Sequence, residues 1–314
     1  SRMGFGFDGS LVMPRNNQIR SADDALDTFN RVLASLLIGG IPVGQVDATN
    51  LAFGVLSTAG YYRYHKPHGP SGLLRQALGE GAAGGMLAIE LVNPPVLQRE
   101  TVEKAFERGE PTLKGLPSLR PEFLLISFSH FRRAEYRNAL IYGWLVVEQL
   151  VGEIWKEIFL ANMPSHLREA RQANLRGIAR NVSTKIEFLV DNNILDRKSY
   201  LHLSRARKCR NDLIHLGIEP AKKDVFFCLK GVCELIGIIC VSKAIAYDPL
   251  TLLETIKDQP QGPNPHSEVT SNPDWSKSGF WRPVNPTPGE VHFSGNYEKI
   301  DEIRLLPLYR KDVE

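Results

Sequence analysis

The sequence predicts an α+β protein. A small mixed α/β unit is expected over residues 1–118, an all-α bundle of four to five helices over 119–248, and a Pro-rich extended tail over 249–314. Three observations carry that reading. From Pro121 to Ala246, apolar residues recur at helical spacing almost without a break. Ahead of Pro121, helical stretches alternate with short β-patterned runs punctuated by glycine and proline. Beyond Pro249, Pro260, Pro263, Pro265, Pro273, Pro283, Pro286 and Pro288 stand among Ser, Asn and Gly.

Within the first unit, Phe5, Phe7, Leu11 and Val12 around Asp8-Gly9 read as a short hairpin or strand. Ser21-Ala-Asp-Asp24 is a capping box opening an amphipathic helix from Ala22 to Leu37, which Gly39-Gly40 ends. Gly60–Tyr64 reads as a strand, Leu73–Leu78 as a short helix, Met86–Val92 as a strand and Thr101–Arg108 as a helix. The glycine run 79–85 lacks the spacing and the Lys-Ser/Thr ending of a phosphate loop, so it reads as a linker or cap. His65 and His68 have no carboxylate or third histidine beside them to complete a metal site.

In the bundle, an apolar run over Phe123–His130 opens or precedes a helix, and a long amphipathic helix, Ala134–Leu160, follows with Ile141, Trp144, Leu145, Val151, Trp155 and Phe159 on one face. Glu148 lies in the centre of that face. A basic helix after Pro164, a helix over Asn181–Asn192, a helix over Tyr200–Leu216 ended by Gly217, and a strongly apolar helix over Asp224–Ala246 follow. In the tail, Val291–Phe293 and Ile303–Leu306 read as short strands.

Composition narrows the function classes. With 43% hydrophobic and 23% charged residues the chain is globular, and a net charge of +3 implies no whole-molecule field for a polyanion, so any basic patch is local. Arginines do cluster, at 132, 133 and 137, at 168–180, and at 205, 207 and 210. The four cysteines show no metal-ligand spacing, Cys233 and Cys240, a heptad apart, read as small core hydrophobes, and a reducing cytoplasm is expected. No metal or cofactor is implied. No stretch reaches the ~18 uninterrupted apolar residues of a membrane span, Lys230 and Glu234 breaking the longest, so no membrane partner is expected. Ser1-Arg2 ahead of Met3 reads as a cloning remnant, which leaves the missing leader with little weight.

The chemistry-bearing stretch is Arg207-Lys-Cys-Arg210-Asn211-Asp-Leu-Ile-His215. Leu203, Ala206, Arg210, Leu213 and Ile214 share one helical stripe, so Arg210 sits on an otherwise apolar face. A guanidinium there must meet a partner or open onto a polar cleft. Glu148 is the expected partner, accepting from Arg210 or Arg207 across the helix interface. Arg210 and His215 diverge by about 140° on a straight helix. Either the helix is interrupted between them, or they line different walls of one cleft that a second copy of the chain could complete.

An Arg, a polar residue, three variable residues and a His on a late helix of an all-α bundle resemble the HEPN superfamily. The likeness is to its Arg-Asn-x-x-x-His subgroup, found in toxin and phage-defence ribonucleases. It covers residues 121–246. The resemblance implies a homodimer that cuts RNA without a metal, two copies of the motif facing one another. His215 would move the proton of the ribose 2′-hydroxyl or of the leaving 5′-oxygen, since imidazole titrates near neutral pH. Arg210 would hold the scissile phosphate, Asn211 would orient His215 or that phosphate, and Arg207 would be a second phosphate contact. Products would carry a 2′,3′-cyclic phosphate, and DNA would not be cut. Residues 1–118 exceed the simple toxin pattern and by analogy would sense a trigger ligand or protein. The alternative is a non-catalytic helical dimerisation or ligand-binding module in a larger assembly, with Arg210 and His215 structural.

Overall fold

The structure, a computed structural model, describes residues 4–5, 11–13, 16–17, 19–51, 53–57, 60–65, 98–161 and 181–257. One short antiparallel hairpin lies ahead of the first helix and another between the first helix and the second. β1 (Gly4–Phe5) pairs with β2 (Leu11–Val12), Phe5 opposite Leu11, so of the two expectations for residues 4–20, hairpin or strand, the hairpin forms. β3 (Phe53–Ser57) pairs with β4 (Gly60–His65), Val55 opposite Tyr62. The β character expected of 1–118 is otherwise not shown, because its remaining elements, Leu73–Leu78, Gly79–Gly85 and Met86–Val92, and His68 lie outside the described residues.

Eight helices make up the rest of the described chain: α1 (Ala22–Ile38), α2 (Arg99–Lys114), α3 (Pro121–Arg132), α4 (Tyr136–Ile154), α5 (Val182–Asp191), α6 (Arg197–Leu216), α7 (Lys222–Ser242) and α8 (Pro249–Glu254). The capping box forms as its spacing requires. Asp24 N–H donates to Ser21 Oγ at 3.1 Å, and Ser21 N–H to Asp24 Oδ2 at 3.0 Å. Asn30 then clamps the returning chain to α1, its side chain exchanging two hydrogen bonds with the Val46 backbone at 2.8 and 2.9 Å.

Helices α1 and α2 come from the segment read as a separate front unit, yet they pack into the core that the later helices share. One continuous cluster runs from Leu33, Leu37 and Ile41 through Ala105 and Leu116 to Phe128, Val147, Leu229 and Ile239. The α1–α2 approach is close enough that backbone meets backbone: a Cβ on Gly39 would run into the Ala105 carbonyl, and one on Gly109 into that of Ser35.

The long bundle helix begins two residues later than expected. Ala134 adopts φ 59°, so the chain turns there between α3 and α4, and beyond Ile154 the helix continues as a π turn, Trp155–Phe159. Its buried face carries Leu140, Trp144, Val147, Leu150, Val151 and Ile154, whereas Ile141, placed on that face by the sequence reading, is exposed. Asn192-Asn193 ends α5 as expected, Asn193 at φ 56°. The basic helix after Pro164 lies outside the described residues, as do Val291–Phe293 and Ile303–Leu306.

Among the described residues α7 is long and apolar enough to cross a membrane by length and composition. Its apolarity serves the bundle: Val225, Leu229, Val232, Leu235 and Ile236 are fully buried, with α4, α6, α3 and α8 packed around it. The chain past Pro249 does not begin as an extended tail. Asp248 caps α8, Leu250 N–H donating to its Oδ1 at 3.0 Å, and Leu252, Leu253 and Ile256 are buried.

Candidate functional site

Helix α6 carries the motif, and local signals at both ends hold it in place. It starts earlier than the apolar spacing indicates because Asp196 caps it, accepting from Ser199 N–H at 2.7 Å. At the other end Gly217 adopts φ 67° and its N–H donates to the Leu213 carbonyl at 3.1 Å. Leu203, Ala206 and Leu213 anchor one side of the helix in the core. Gly231 of α7 lets that side approach, since a Cβ there would meet the Leu203 side chain.

Two polar connections fix α6 on α7, and neither was anticipated from the sequence. His202 pairs through Nδ1 with Glu234 Oε2 at 2.9 Å, and its ring stacks on Phe227 at 5.1 Å between centroids. Arg205 donates to Asp224 Oδ1 at 2.6 Å with its guanidinium 4.9 Å from the centre of the Phe227 ring. Both join residues far apart in sequence, where no periodicity could reveal them.

Helix α6 runs without interruption from Arg197 to Leu216. Of the two alternatives, that leaves Arg210 and His215 about 140° apart around one helix. Arg210 is half-buried and donates from Nη1 to Asn211 Oδ1 at 3.2 Å. Neither Arg210 nor Arg207, also half-buried, has an ion pair among the described residues. His215 is exposed, and so is every residue from 214 to 219. Ile214 therefore leaves the core stripe on which the sequence placed it, and it, Leu216 and Ile218 are exposed apolar side chains on either side of the histidine in sequence.

The expected partnership of Glu148 with Arg210 or Arg207 is not the one formed. Glu148 accepts from Trp144 Nε1, one turn back on α4, at 2.7 Å. Its field acts on Lys185 of α5, whose pKa burial lowers and Glu148 raises. The indole N–H needs an acceptor when its ring is buried, and the carboxylate one turn away supplies it.

The remaining arginines sort by the same geometry. Arg132 donates to the Val43 carbonyl at 2.7 Å, and burial lowers its pKa. Arg137, in the first turn of α4, forms a two-contact ion pair with Glu219, just past the motif helix. A separate cleft of 680 Å³ lies away from the motif, lined by Asp23, Asp27, Asp47, Glu122, His130 and Tyr142 among others. Its carboxylates make it unsuited to a phosphodiester. His130 on its wall pairs with Glu135 at 2.5 Å, an unanticipated contact across the α3–α4 turn. No three His, Cys, Asp or Glu side chains among the described residues converge in a metal-binding group. Compared with known proteins, the chain matches no family model, no curated protein and no solved structure.

Proposed function

We propose that the chain is an endoribonuclease of the HEPN type that acts as a homodimer in the cytoplasm and cuts RNA through its own 2′-hydroxyl. The observation that carries the reading is the state of Arg210: a half-buried guanidinium, oriented by Asn211 at 3.2 Å and without a carboxylate partner among the described residues. Such a charge is stabilised by an anion with two oxygens in one plane, and the phosphodiester provides them. His215 stands in solvent five residues on, where RNA can reach it.

The roles follow from residue chemistry. His215 takes the 2′-hydroxyl proton or gives one to the leaving 5′-oxygen. Arg210 binds the phosphate and stabilises the charge that builds on it at the transition state. Arg207 makes a second phosphate contact, and Asn211 aligns Arg210. None of these steps requires a metal. Because Arg210 and His215 diverge around α6, a second copy facing the first would bring an Arg and a His to one phosphate. The exposed Ile214, Leu216 and Ile218 support such pairing.

The same exposed apolar residues favour a second reading, a binding module without chemistry that docks through the end of α6. The test is incubation of the full chain with labelled single-stranded RNA in EDTA, beside Arg210→Ala and His215→Ala. Cleavage by the parent alone, with a 2′,3′-cyclic phosphate on the product and DNA left intact, supports the nuclease. Equal traces from all three remove it and leave the binding module.

A further inference from the structure

The Arg137–Glu219 pair joins the first turn of α4 to the turn that follows His215, and its placement gives it a use beyond stability. Gly217 reverses the chain, Ile218 N–H donates back to the Asp212 carbonyl at 3.3 Å, and Glu219 is thereby held beside the last turn of α6. Arg137 reaches it with both faces of the guanidinium fork, Nε at 3.4 Å from Oε2 and Nη2 on Oε1. Each side chain is 60% exposed, so the pair is hydrated and holds its members weakly. It differs from Arg205–Asp224, where Asp224 is three-quarters covered and the guanidinium lies over Phe227. The fork that now grips two carboxylate oxygens has the geometry that grips two phosphate oxygens.

We infer that Arg137 is a further phosphate contact of the RNA site and that Glu219 is its resting counter-ion, displaced when RNA docks. The inference rests on the nuclease reading and names one element of its control. In the free chain Glu219 neutralises a cation at the mouth of the site. A polyanion strand crossing His215 replaces one carboxylate by several phosphates, and the weak pair exchanges partners. Glu219 thus sets a threshold: short or isolated phosphates do not dislodge it, whereas a strand that also engages Arg207 and Arg210 does.

The experiment is binding of labelled single-stranded RNA of mixed sequence to the full chain, by fluorescence anisotropy across a salt series in EDTA. All variants are made in the His215→Ala background so that no RNA is cut. Glu219→Gln should tighten binding about threefold, the share of one phosphate contact in the salt response. Arg137→Ala should flatten the log–log salt slope by about 0.7, the value for one contact to a single strand. Arg137→Lys, which keeps the charge, should restore that slope, and the Arg137→Ala/Glu219→Gln double variant should behave as Arg137→Ala does. Tightening that persists in the double variant overturns the inference, since Glu219 would then act through its own charge. RNA binding that is lost in Arg210→Ala yet indifferent to Arg137 overturns it while leaving the nuclease reading in place. Absence of RNA binding in every variant, with unchanged thermal melts, overturns both.

Discussion

Arg210 donates through Nη1 to the side-chain carbonyl of its own neighbour, Asn211, at 3.2 Å, and no carboxylate among the described residues pairs with that guanidinium. Two other arginines of the bundle end on an acceptor elsewhere in the fold, Arg205 on Asp224 and Arg132 on the Val43 carbonyl. The prediction is a separation of activity from stability. Arg210→Ala and His215→Ala should each lower RNA cleavage by about 10²-fold or more, the size of effect seen when an acid–base group or a charge-stabilising donor is removed. Asn211→Ala, which leaves both groups present but frees Arg210 to wander, should cost about tenfold, roughly 1.4 kcal/mol in the barrier. His215 is exposed and should leave the melting temperature unchanged. A single-turnover assay beside a thermal melt reads both quantities.

What the sequence made legible was local. The Ser21–Asp24 box, the αL glycine after α6, the Asn192-Asn193 stop and the near-continuous helical spacing after Pro121 each depend on residues within a turn or two, and each forms among the described residues. What it hid was decided across space. Periodicity put Glu148 on the same face as its neighbours on α4, but the partner was chosen by Trp144, whose buried N–H had to be satisfied. Ile214 fits the apolar stripe of α6, yet the neighbouring helices do not cover that turn, and residue spacing carries no record of where cover stops. The allocation of α1 and α2 failed for a related reason. β-patterned segments beside them coloured the whole of 1–118, while the small residues that let these two helices meet, Gly39, Ala105 and Gly109, give no pattern of their own.

That meeting makes one glycine respond to a change in the opposite direction from a glycine outside it. Gly109 of α2 faces the Ser35 carbonyl, and a Cβ there would strike a backbone atom that no rotamer change can move. Gly109→Ala should destabilise the chain by about 3 kcal/mol, the upper part of the range for overpacking a filled interface. Gly152 lies inside α4 with nothing within 4 Å of an added Cβ. Gly152→Ala should stabilise by roughly 0.5–1 kcal/mol through helix propensity alone. Denaturant titrations of the two variants and the parent give both signs in one series, and a mild effect at Gly109 would mean the α1–α2 crossing is looser than described.

The cap of the motif helix has a pH signature. Backbone and side-chain hydrogen bonds from Ser199 hold the Asp196 carboxyl below its ordinary value. A carboxylate whose folded pKa is depressed contributes stability above its unfolded value, about 3.9, and loses that contribution as pH falls through the folded value. Asp196→Ala should therefore cost about 1 kcal/mol at pH 7, as loss of an N-cap does, and the gap to the parent should shrink as pH falls below 4. Melts at pH 7, 4 and 2 check it. A gap that stays constant down to pH 2 would assign the cost to something other than the charged cap.

The thiols report on the core in which that helix is seated. All four cysteines are free, with Cys228, Cys233 and Cys240 buried in α7 and Cys209 half-buried on α6. Burial pushes the Cys228 thiol up to about 12 and raises Cys233 and Cys240 as well, and it raises Cys209 too, though that residue keeps part of its surface in water. At pH 8 a thiol of pKa 12 is thiolate in only ~10⁻⁴ of molecules, and the thiolate is the reactive form. Titration of the native chain with a disulfide reagent at pH 8 should thus show at most one prompt thiol, absent from Cys209→Ser. Four should appear once the chain is denatured. Because Cys228 and Cys233 are buried in the core around α7, their reaction requires the bundle to open, and its rate should level off at the opening rate as the reagent concentration is raised. Two or more prompt thiols in the native chain would place α7 at the surface instead of at the centre, and with it would go the platform on which Arg210 and His215 are held.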